Sequence, residues 1–465
     1  MTSPPSPPAT RPALPDFHGA IWLWARIGSL SFGGPAAQIA LMHRELVDQR
    51  QWISEARFLQ ALNLCMLLPG PEAQQLATYL GWLLHGVRGG LAAGLLFILP
   101  GAAVMLVLSA IFVGFGKVPL VAAVFFGLKC AVLVLVVEAL LRIARRALHG
   151  PLAWALALAA FLALALLRLP FPLVVLGAAL VGALLPGRFI AARLGRAVDG
   201  PPALLDAVIA ADPGRLARMA PWARRAGLVA LVLWLWPVVL LLPEGLLWGQ
   251  AVSQPRLAGD PGVFGDIAWF FSKMAVVTFG GAYAVLAYVA QEAVEHYHWL
   301  TADQMLSGLG LAETTPGPLI LVLQFVGFLA GHAGGGLGWA MAGAGLTLWV
   351  TFLPCFAWIF LCAPLVERLR EKPRLSSALA GVTAAVVGVI ANLALWFGLR
   401  VIFSEVATLP LGPLAVDVPR LASLDPAAAV LALFSAGLLF GLRLGVGKTL
   451  GLTALAGLML RAVAP

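Results

Sequence analysis

The sequence predicts an all-α polytopic membrane protein made of two inverted-topology repeats, and three observations predict it. Hydrophobic residues make up 61% of the 465 positions and charged residues 11%, whereas about a quarter of a soluble domain is charged. Apolar runs occupy most of the chain, each near or above the roughly 20 residues that cross a bilayer. The breaks Phe32-Gly33-Gly34 and Pro69-Gly70-Pro71 return 247 positions later as Phe279-Gly280-Gly281 and Pro316-Gly317-Pro318. Trp22 and Trp269, Glu45 and Glu292, and Trp52 and Trp299 keep that offset, so one ancestral unit is duplicated.

Residues 1–16 are proline-rich and lack the basic start and apolar core of a signal peptide, which predicts a disordered cytoplasmic tail. The first repeat, 17–187, carries apolar runs near 17–42, 56–86, 90–115, 118–141, 151–168 and 170–187. Residues 188–263 form a basic cytoplasmic loop plus one connecting span at 226–243. The second repeat, 264–465, carries runs near 264–290, 302–331, 337–363, 376–403, 427–442 and 446–462. The expectation is about thirteen transmembrane segments: two six-segment repeats joined by one extra span, with discontinuous helices at the Phe-Gly-Gly and Pro-Gly-Pro breaks.

Orientation follows from the arginines, because loops rich in Lys and Arg stay on the cytoplasmic side. Arg142, Arg145 and Arg146 follow the fourth run, and Arg188, Arg193, Arg196, Arg215, Arg218, Arg224 and Arg225 follow the sixth. Arg368, Arg370, Lys372 and Arg374 follow the tenth, and Arg443 and Lys448 the twelfth. All four loops are expected inside. The N-terminus is then cytoplasmic, the extra span inverts the second half, and the C-terminus is periplasmic or extracellular. This placement also explains the net charge of +9, so nucleic acid is not an expected partner.

At membrane depth a proline removes a backbone hydrogen bond and paired glycines let the chain leave the helical region. Irregular backbone survives there only when it is buried in protein or lines a watery cavity. Corresponding breaks in inverted repeats mark the substrate site of many secondary transporters. The half-helix beginning at such a break presents free N–H groups and a positive dipole end to an anion. The expected substrate-binding set is therefore Ser31, Gly33, Gly34, Pro35, Gln38, Pro69, Gly70, Pro71, Glu72, Gln74 and Gln75 from the first repeat. The second repeat contributes Thr278, Gly280, Gly281, Thr314, Thr315, Pro316, Gly317 and Pro318. Hydroxyls and amides in this set are donors suited to oxyanion oxygens.

Arg26 and Lys273 also correspond, each six residues before its Phe-Gly-Gly. A basic group inside a span costs roughly 3 kcal/mol unless it snorkels, pairs or faces water. Both are read as an electropositive lining, the competing reading being a snorkel to the headgroups. Glu72 has no counterpart in the second repeat and serves either as a helix cap or as a proton carrier; Glu313 precedes the second Pro-Gly-Pro without a counterpart in the first. Lys129 and Glu138 stand nine residues apart in the fourth run, as a structural charge pair or near-interface groups.

Other patterns suggest no chemistry. Cys65, Cys130, Cys355 and Cys362 sit in apolar runs without metal-type spacing. His296 and His298 with Glu292 and Glu295 fall in an aromatic interfacial loop, so no metal site is assigned. Gly445-Val446-Gly447-Lys448-Thr449 resembles a phosphate loop, but Leu442 stands where its first glycine belongs. No catalytic residue and no cofactor are expected. Gly90 with Gly94 and Gly327 with Gly331 have the spacing of close helix contacts, expected mainly within the chain, with a homodimer left open.

Taken together, these motifs resemble the chromate ion transporter family in its long, two-domain form. The first half carries Ser31-Phe32-Gly33-Gly34-Pro35, Leu68-Pro69-Gly70-Pro71-Glu72-Ala73, Gln75-Leu76-Ala77 and Tyr79-Leu80-Gly81-Trp82. The second carries Thr278-Phe279-Gly280-Gly281, Thr315-Pro316-Gly317-Pro318 and Phe325-Val326-Gly327. The resemblance implies secondary active export of chromate, a sulfate-like oxyanion, across the bacterial inner membrane, conferring chromate resistance. The alternatives are an importer, exchanger or channel for sulfate or another oxyanion, and a membrane-embedded enzyme acting on an anionic substrate. Against the enzyme, the sequence holds no heme motif, nucleotide loop or cysteine pair. The expected partners are the oxyanion and the lipid bilayer.

Overall fold

The computed structural model describes residues 14–185, 203–241, 262–277, 282–363, 373–411 and 414–463. The first half contains α1 (Phe17–Leu30), α2 (Gly34–His43), a π-helical turn (Arg44–Gln49), α3 (Glu55–Leu67), α4 (Glu72–Phe115), α5 (Pro119–Ala147), α6 (Pro151–Ala165) and α7 (Phe171–Leu184). A connector holds α8 (Leu204–Ala211) and α9 (Arg215–Leu241). The second half contains α10 (Val263–Val277), α11 (Ala282–Gln291), a second π-helical turn (Glu292–His296), α12 (Ala302–Thr314), α13 (Val322–Gly335), α14 (Leu337–Cys362) and α15 (Pro373–Ile402). It ends with β1 (Val406–Leu411), β2 (Leu414–Pro419), α16 (Pro426–Ala436) and α17 (Val446–Val463). Among the described residues, α4, α5, α9, α14 and α15 are long and apolar enough to cross a membrane, and several shorter apolar helices accompany them. The protein is a predominantly helical, polytopic membrane protein.

The two halves repeat one succession of elements. Shifted by 247, α3 falls on α12 with identical bounds, and α1 and α2 fall within one residue of α10 and α11. Each first hairpin runs into a π-helical turn, after which Gln51 and His298, again 247 apart, adopt left-handed φ of 51° and 50°. Trp52 N–H then bonds Leu46 O at 2.9 Å, and Trp299 N–H bonds Ala293 O at 2.9 Å.

The chain folds back at the boundary between the runs 56–86 and 90–115, and again inside the first of them. A straight helix of 44 residues would reach about 66 Å, but α4 leaves helical geometry at His85 (φ −131°, ψ 22°) and Gly86 (φ 65°, ψ −155°). Its 72–84 arm lies antiparallel on its 87–115 arm, with Gly81 against Gly89 and Ala93, and Gly90 and Gly94 closing on Thr78. Absent Cβ atoms let the two backbones approach.

The 55–84 segment likewise reverses at Pro69-Gly70-Pro71. Its two ends are held by one short stretch, Arg57 pairing with Asp206 at 2.8 Å and Arg215 donating to Leu83 O and Leu84 O at 2.9 and 2.7 Å. The α1–α2 segment turns back as well, since Arg26 on α1 comes within 3.6 Å of Glu45 beyond α2. In the second half Phe270 of α10 meets the rings of Tyr288, Tyr297 and Trp299 in tilted or edge-on contacts, so the chain beyond α11 returns to α10. The α12 and α13 ends share a cavity through Thr301, Ala302, His332 and Ala333, and α13 reverses into α14 at Gly336 (φ 78°).

Gly90 and Gly94 also pack against Phe360 and Phe356, and Gly327 and Gly331 pack against Thr347 and Trp339, all within the chain. Long helices seat on shorter partners in the same manner: Gly182 and Gly381 join α7 to α15, and Gly127 and Gly457 join α5 to α17. The 404–426 stretch, between the apolar runs at 376–403 and 427–442, forms the antiparallel β1–β2 hairpin with Val406 opposite Pro419. Its alternation of apolar and polar residues is short and lies beside strongly apolar runs that dominate the pattern.

Candidate functional site

The breaks and tips are defined by backbone geometry. Gly33 and Gly34 take consecutive left-handed φ of 85° and 77°, a conformation costly for residues with a Cβ. A Cβ on Gly34 would meet nothing within 4 Å, so conformation rather than packing requires glycine there. Gly70 (φ 121°) and Gly317 (φ 91°) turn the two Pro-Gly-Pro tips. Pro35, Pro71 and Pro318 then start or precede the next helical segment, where a missing N–H is harmless. After Pro318 the chain makes one 3₁₀ turn, Leu319–Leu321, before α13.

Each Pro-Gly-Pro tip packs against the opposite repeat. Gly317 N–H donates to Ser31 O at 2.8 Å, and Gln38 Nε2 donates to Gly317 O at 2.6 Å and to Ser31 O at 3.4 Å. The first break of one repeat is thereby bonded to the second break of the other. The Pro316 carbonyl oxygen rests where a Cβ of Gly101 on α4 would stand, and Gln324 Nε2, from α13, donates to Ala102 O at 3.0 Å. At the other tip a Cβ on Gly70 would lie 2.8 Å from Cys355 Sγ of α14.

Breaking a helix frees carbonyls, and an unpaired buried carbonyl costs about 1–3 kcal/mol. Buried glutamines meet that demand: Gln75 Nε2 donates to Pro69 O at 2.6 Å, in parallel with Gln38 on Gly317 O. Gln74 Nε2 bonds Thr78 Oγ1 at 3.1 Å. Among the described residues the Oε1 atoms of Gln38, Gln74, Gln75 and Gln324 are buried without a hydrogen-bond partner, so the tips are lined by acceptors as well as donors. Ser31 Oγ and Thr315 Oγ1 return to their own helices at Ile27 O (2.6 Å) and Ala312 O (2.9 Å), and the exposed Thr314 bonds Leu311 O at 2.8 Å. Glu72, half-buried at the start of the 72–84 arm, has no hydrogen bond or ion pair among the described residues. Thr278, Gly280 and Gly281 lie outside the described residues.

Arg26 and Lys273 sit apart from the tips. The exposed Arg26 faces the buried Glu45, which Arg50 also contacts at 2.5 Å. Lys273 stands 5.5 Å from the Tyr288 ring centre, within electrostatic reach of Glu292. The 247 offset relates both members of these two cation–carboxylate sets, and the fold brings the members of each set together. Lys129 and Glu138 do not pair with each other: Lys129 bonds Asp303, and Glu138 is held by Arg142 at 3.0 Å. Helix geometry explains the difference, since residues nine apart lie two and a half turns apart along an axis.

Two groups lie outside the expected substrate-binding set. Glu313 is buried with Tyr283 Oη donating to it at 2.6 Å. A cavity of about 640 Å³ between the halves gathers Lys129, Arg400 and Arg461 with Asp303 and Asp425. It sits beside the α4–α5 turn and the β-hairpin, separate from the tips. The lone Glu313 in an apolar run was the available signal for the first; the second joins residues up to 332 positions apart and has no local signal.

A family model described as chromate transporter matches residues 19–183 and 265–460. A chromate transport protein of Pseudomonas aeruginosa is 34% identical over 386 residues, 82% of each chain. One of Cupriavidus metallidurans is 27% identical over 405 residues, 83% of this chain and 85% of the relative. An uncharacterized transporter of Methanocaldococcus jannaschii is 24% identical over 379 residues, 82% of this chain and 84% of the relative. No solved structure matches. These relatives are named as transporters rather than enzymes, and with both halves matched by the family model the chain belongs to the chromate transporter family.

Proposed function

We propose that this protein is a secondary active transporter that exports chromate, a sulfate-like oxyanion, from the cytoplasm across the inner membrane and so confers resistance. The observation that carries the reading is the 34% identity, over 82% of the chain, to a protein named for chromate transport. An inside-negative potential favours this direction, releasing about 4.6 kcal/mol per 100 mV for a dianion.

In this reading the domains are a first repeat at 17–187, a basic loop and span at 188–263, and a second repeat at 264–465. The folded-back segments 17–43, 55–84 and 302–335, and the pair α10 and α11, are re-entrant hairpins, two entering from each side. Crossings are then made by the 87–115 arm, α5, α6, α7, α9, α14, α15, α16 and α17. Two hairpins per repeat replace two expected spans, so the parity is unchanged: N-terminus cytoplasmic, C-terminus outside, repeats inverted about α9. The oxyanion is assigned to the region of the tips, with Ser31, Gln38, Gln74, Gln75, Thr314 and Thr315 as polar contacts and the glycines admitting close backbone approach. Arg26 and Lys273 attract it from the flanks, and rocking of one repeat against the other exposes the tips alternately.

Proteoliposomes loaded with chromate, sulfate, molybdate or phosphate test this reading under an imposed potential. Saturable chromate efflux, competed by sulfate and accelerated by a potential negative inside, is expected. Linear, non-saturating flux would point to a channel, and efflux indifferent to chromate would contradict the reading.

A further inference from the structure

α9 is held to the rest of the protein by one narrow stripe. Its buried residues are Ala223, Gly227, Ala230, Trp234 and Val238, three or four apart and therefore on one side of the helix. Gly227 lets Leu361 of α14 close in, Trp349 Nε1 donates to Leu233 O at 2.8 Å, and Trp234 Nε1 donates to Ser272 Oγ of α10 at 3.1 Å. Another face has no protein cover among the described residues. Along it Trp222, Val229, Val232, Trp236 and Val239 are each more than half exposed. In a helix that crosses the bilayer, the apolar part of such a row faces acyl chains.

The polar end of the same row is basic. Arg225 falls between Trp222 and Val229 in it, its guanidinium carbon 5.1 Å from the Trp222 ring centre, and Arg224 is its exposed neighbour. Arg218, one turn earlier, is taken by Asp212, and Arg215 is engaged by Leu83 O and Leu84 O. Among the described residues no carboxylate pairs with Arg224 or Arg225. A Cβ on Gly86 would lie 3.9 Å from Met219 Cε, so the α4 reversal, with the exposed Arg88 just beyond it, adds a further cation at this end of α9. Retention of a loop in the cytoplasm requires only that arginines be present. It does not require two of them to stand unpaired above a lipid-facing row, one stacked on an exposed tryptophan.

We propose that the Trp222–Arg225 end of α9 binds the headgroup of an anionic phospholipid of the cytoplasmic leaflet, whose acyl chains lie along Val229, Val232 and Trp236. Its phosphate accepts hydrogen bonds from the guanidinium groups of Arg224 and Arg225, planar donors suited to bidentate contact with phosphate oxygens. The Trp222 indole lies at headgroup depth, where such rings concentrate. The occupant is a lipid because the cations are continuous with an apolar row, and only an anion that carries acyl chains covers both. The proposal is independent of which ion is transported and uses only the cytoplasmic placement of the basic end of α9. A headgroup held here also steadies the helix end that, through Arg215 and with Asp206 of α8, grips the two ends of the 55–84 segment.

The test uses the full chain in vesicles mixing phosphatidylcholine with phosphatidylglycerol, one or the other carrying brominated acyl chains that quench nearby indoles. The Trp222 signal is obtained by difference from Trp222→Phe. Its quenching should report a preference for phosphatidylglycerol of about fivefold per engaged cation, falling as salt rises because the attraction is electrostatic. Arg224→Gln with Arg225→Gln should lose that preference, Arg224→Lys with Arg225→Lys should retain it, and Arg145→Gln with Arg146→Gln, at the basic end of α5, should leave it unchanged. Equal quenching by the two lipids in the wild type, or a preference removed as fully by the α5 pair of substitutions, would overturn the proposal. So would displacement of the lipid by millimolar inorganic phosphate, or Val232→Cys dimers cross-linked above the wild-type level, which place a second copy on the row. Salt titration of the wild type decides even where a variant fails to insert, since a preference untouched by salt contradicts the site. Arg218→Cys labelled by an impermeant thiol reagent from the side opposite to Arg145→Cys would overturn the leaflet assigned, while the quenching preference reads the site itself in either leaflet.

Discussion

Gln38 joins the two repeats through one amide group, so its removal separates bracing from substrate contact. Gln38→Leu leaves the Gly317 carbonyl unpaired in a buried site, at a cost of about 1–3 kcal/mol. Its thermal unfolding temperature in detergent should fall accordingly, and wild-type stability would mean that the bond contributes nothing. Gly101→Ala places a Cβ on the Pro316 oxygen and should impair transport more than insertion, read by comparing flux with membrane yield. Arg26→Gln and Lys273→Gln should each reduce oxyanion flux; normal rates in both would remove them from the path. At this scale the sequence was informative wherever chemistry is local. Gly33, Gly34, Gly70 and Gly317 were legible because a positive φ demands glycine, whereas the acceptors of Gln38 and Gln324 were not. Those bonds cross 279 and 222 positions, and nothing in a neighbouring residue announces them.

Helix breaks were legible as elements, but their consequence was not. The runs 17–42 and 56–86 have the length of single spans, and a Gly-Gly or Pro-Gly-Pro break is equally compatible with an unwound crossing or a reversal. Contacts distant in sequence decide the matter: Arg57 with Asp206, Arg215 with Leu83 and Leu84, and Arg26 with Glu45. The reversal at His85–Gly86, by contrast, falls at the boundary expected between the runs 56–86 and 90–115. Gly86 turns at φ 65° and ψ −155°, a region left to glycine, so Gly86→Val should strain the hairpin by about 1–3 kcal/mol, lowering thermal stability while leaving α14 and its partners inserted. An unchanged melting temperature would show that the reversal tolerates a side chain.

For the whole molecule, the proposed arrangement has two pairs of hairpins entering from opposite faces and meeting where Ser31, Gln38 and Gly317 are bonded. The duplication itself was plain from residues at a fixed offset. The direction in which each broken run leaves the membrane was hidden, because replacing two spans by two hairpins preserves the parity on which the arginine rule depends. One labelling experiment separates the alternatives. Gln49 and His296 correspond under the 247 offset and are exposed, as is Arg145 at the basic end of α5. Gln49→Cys, His296→Cys and Arg145→Cys, each read against the wild-type background, can be treated with a membrane-impermeant thiol reagent in oriented vesicles. Gln49→Cys should label from the same side as Arg145→Cys, and His296→Cys from the other; Gln49→Cys labelling opposite to Arg145→Cys would restore continuous spans and contradict the meeting of hairpins from opposite faces.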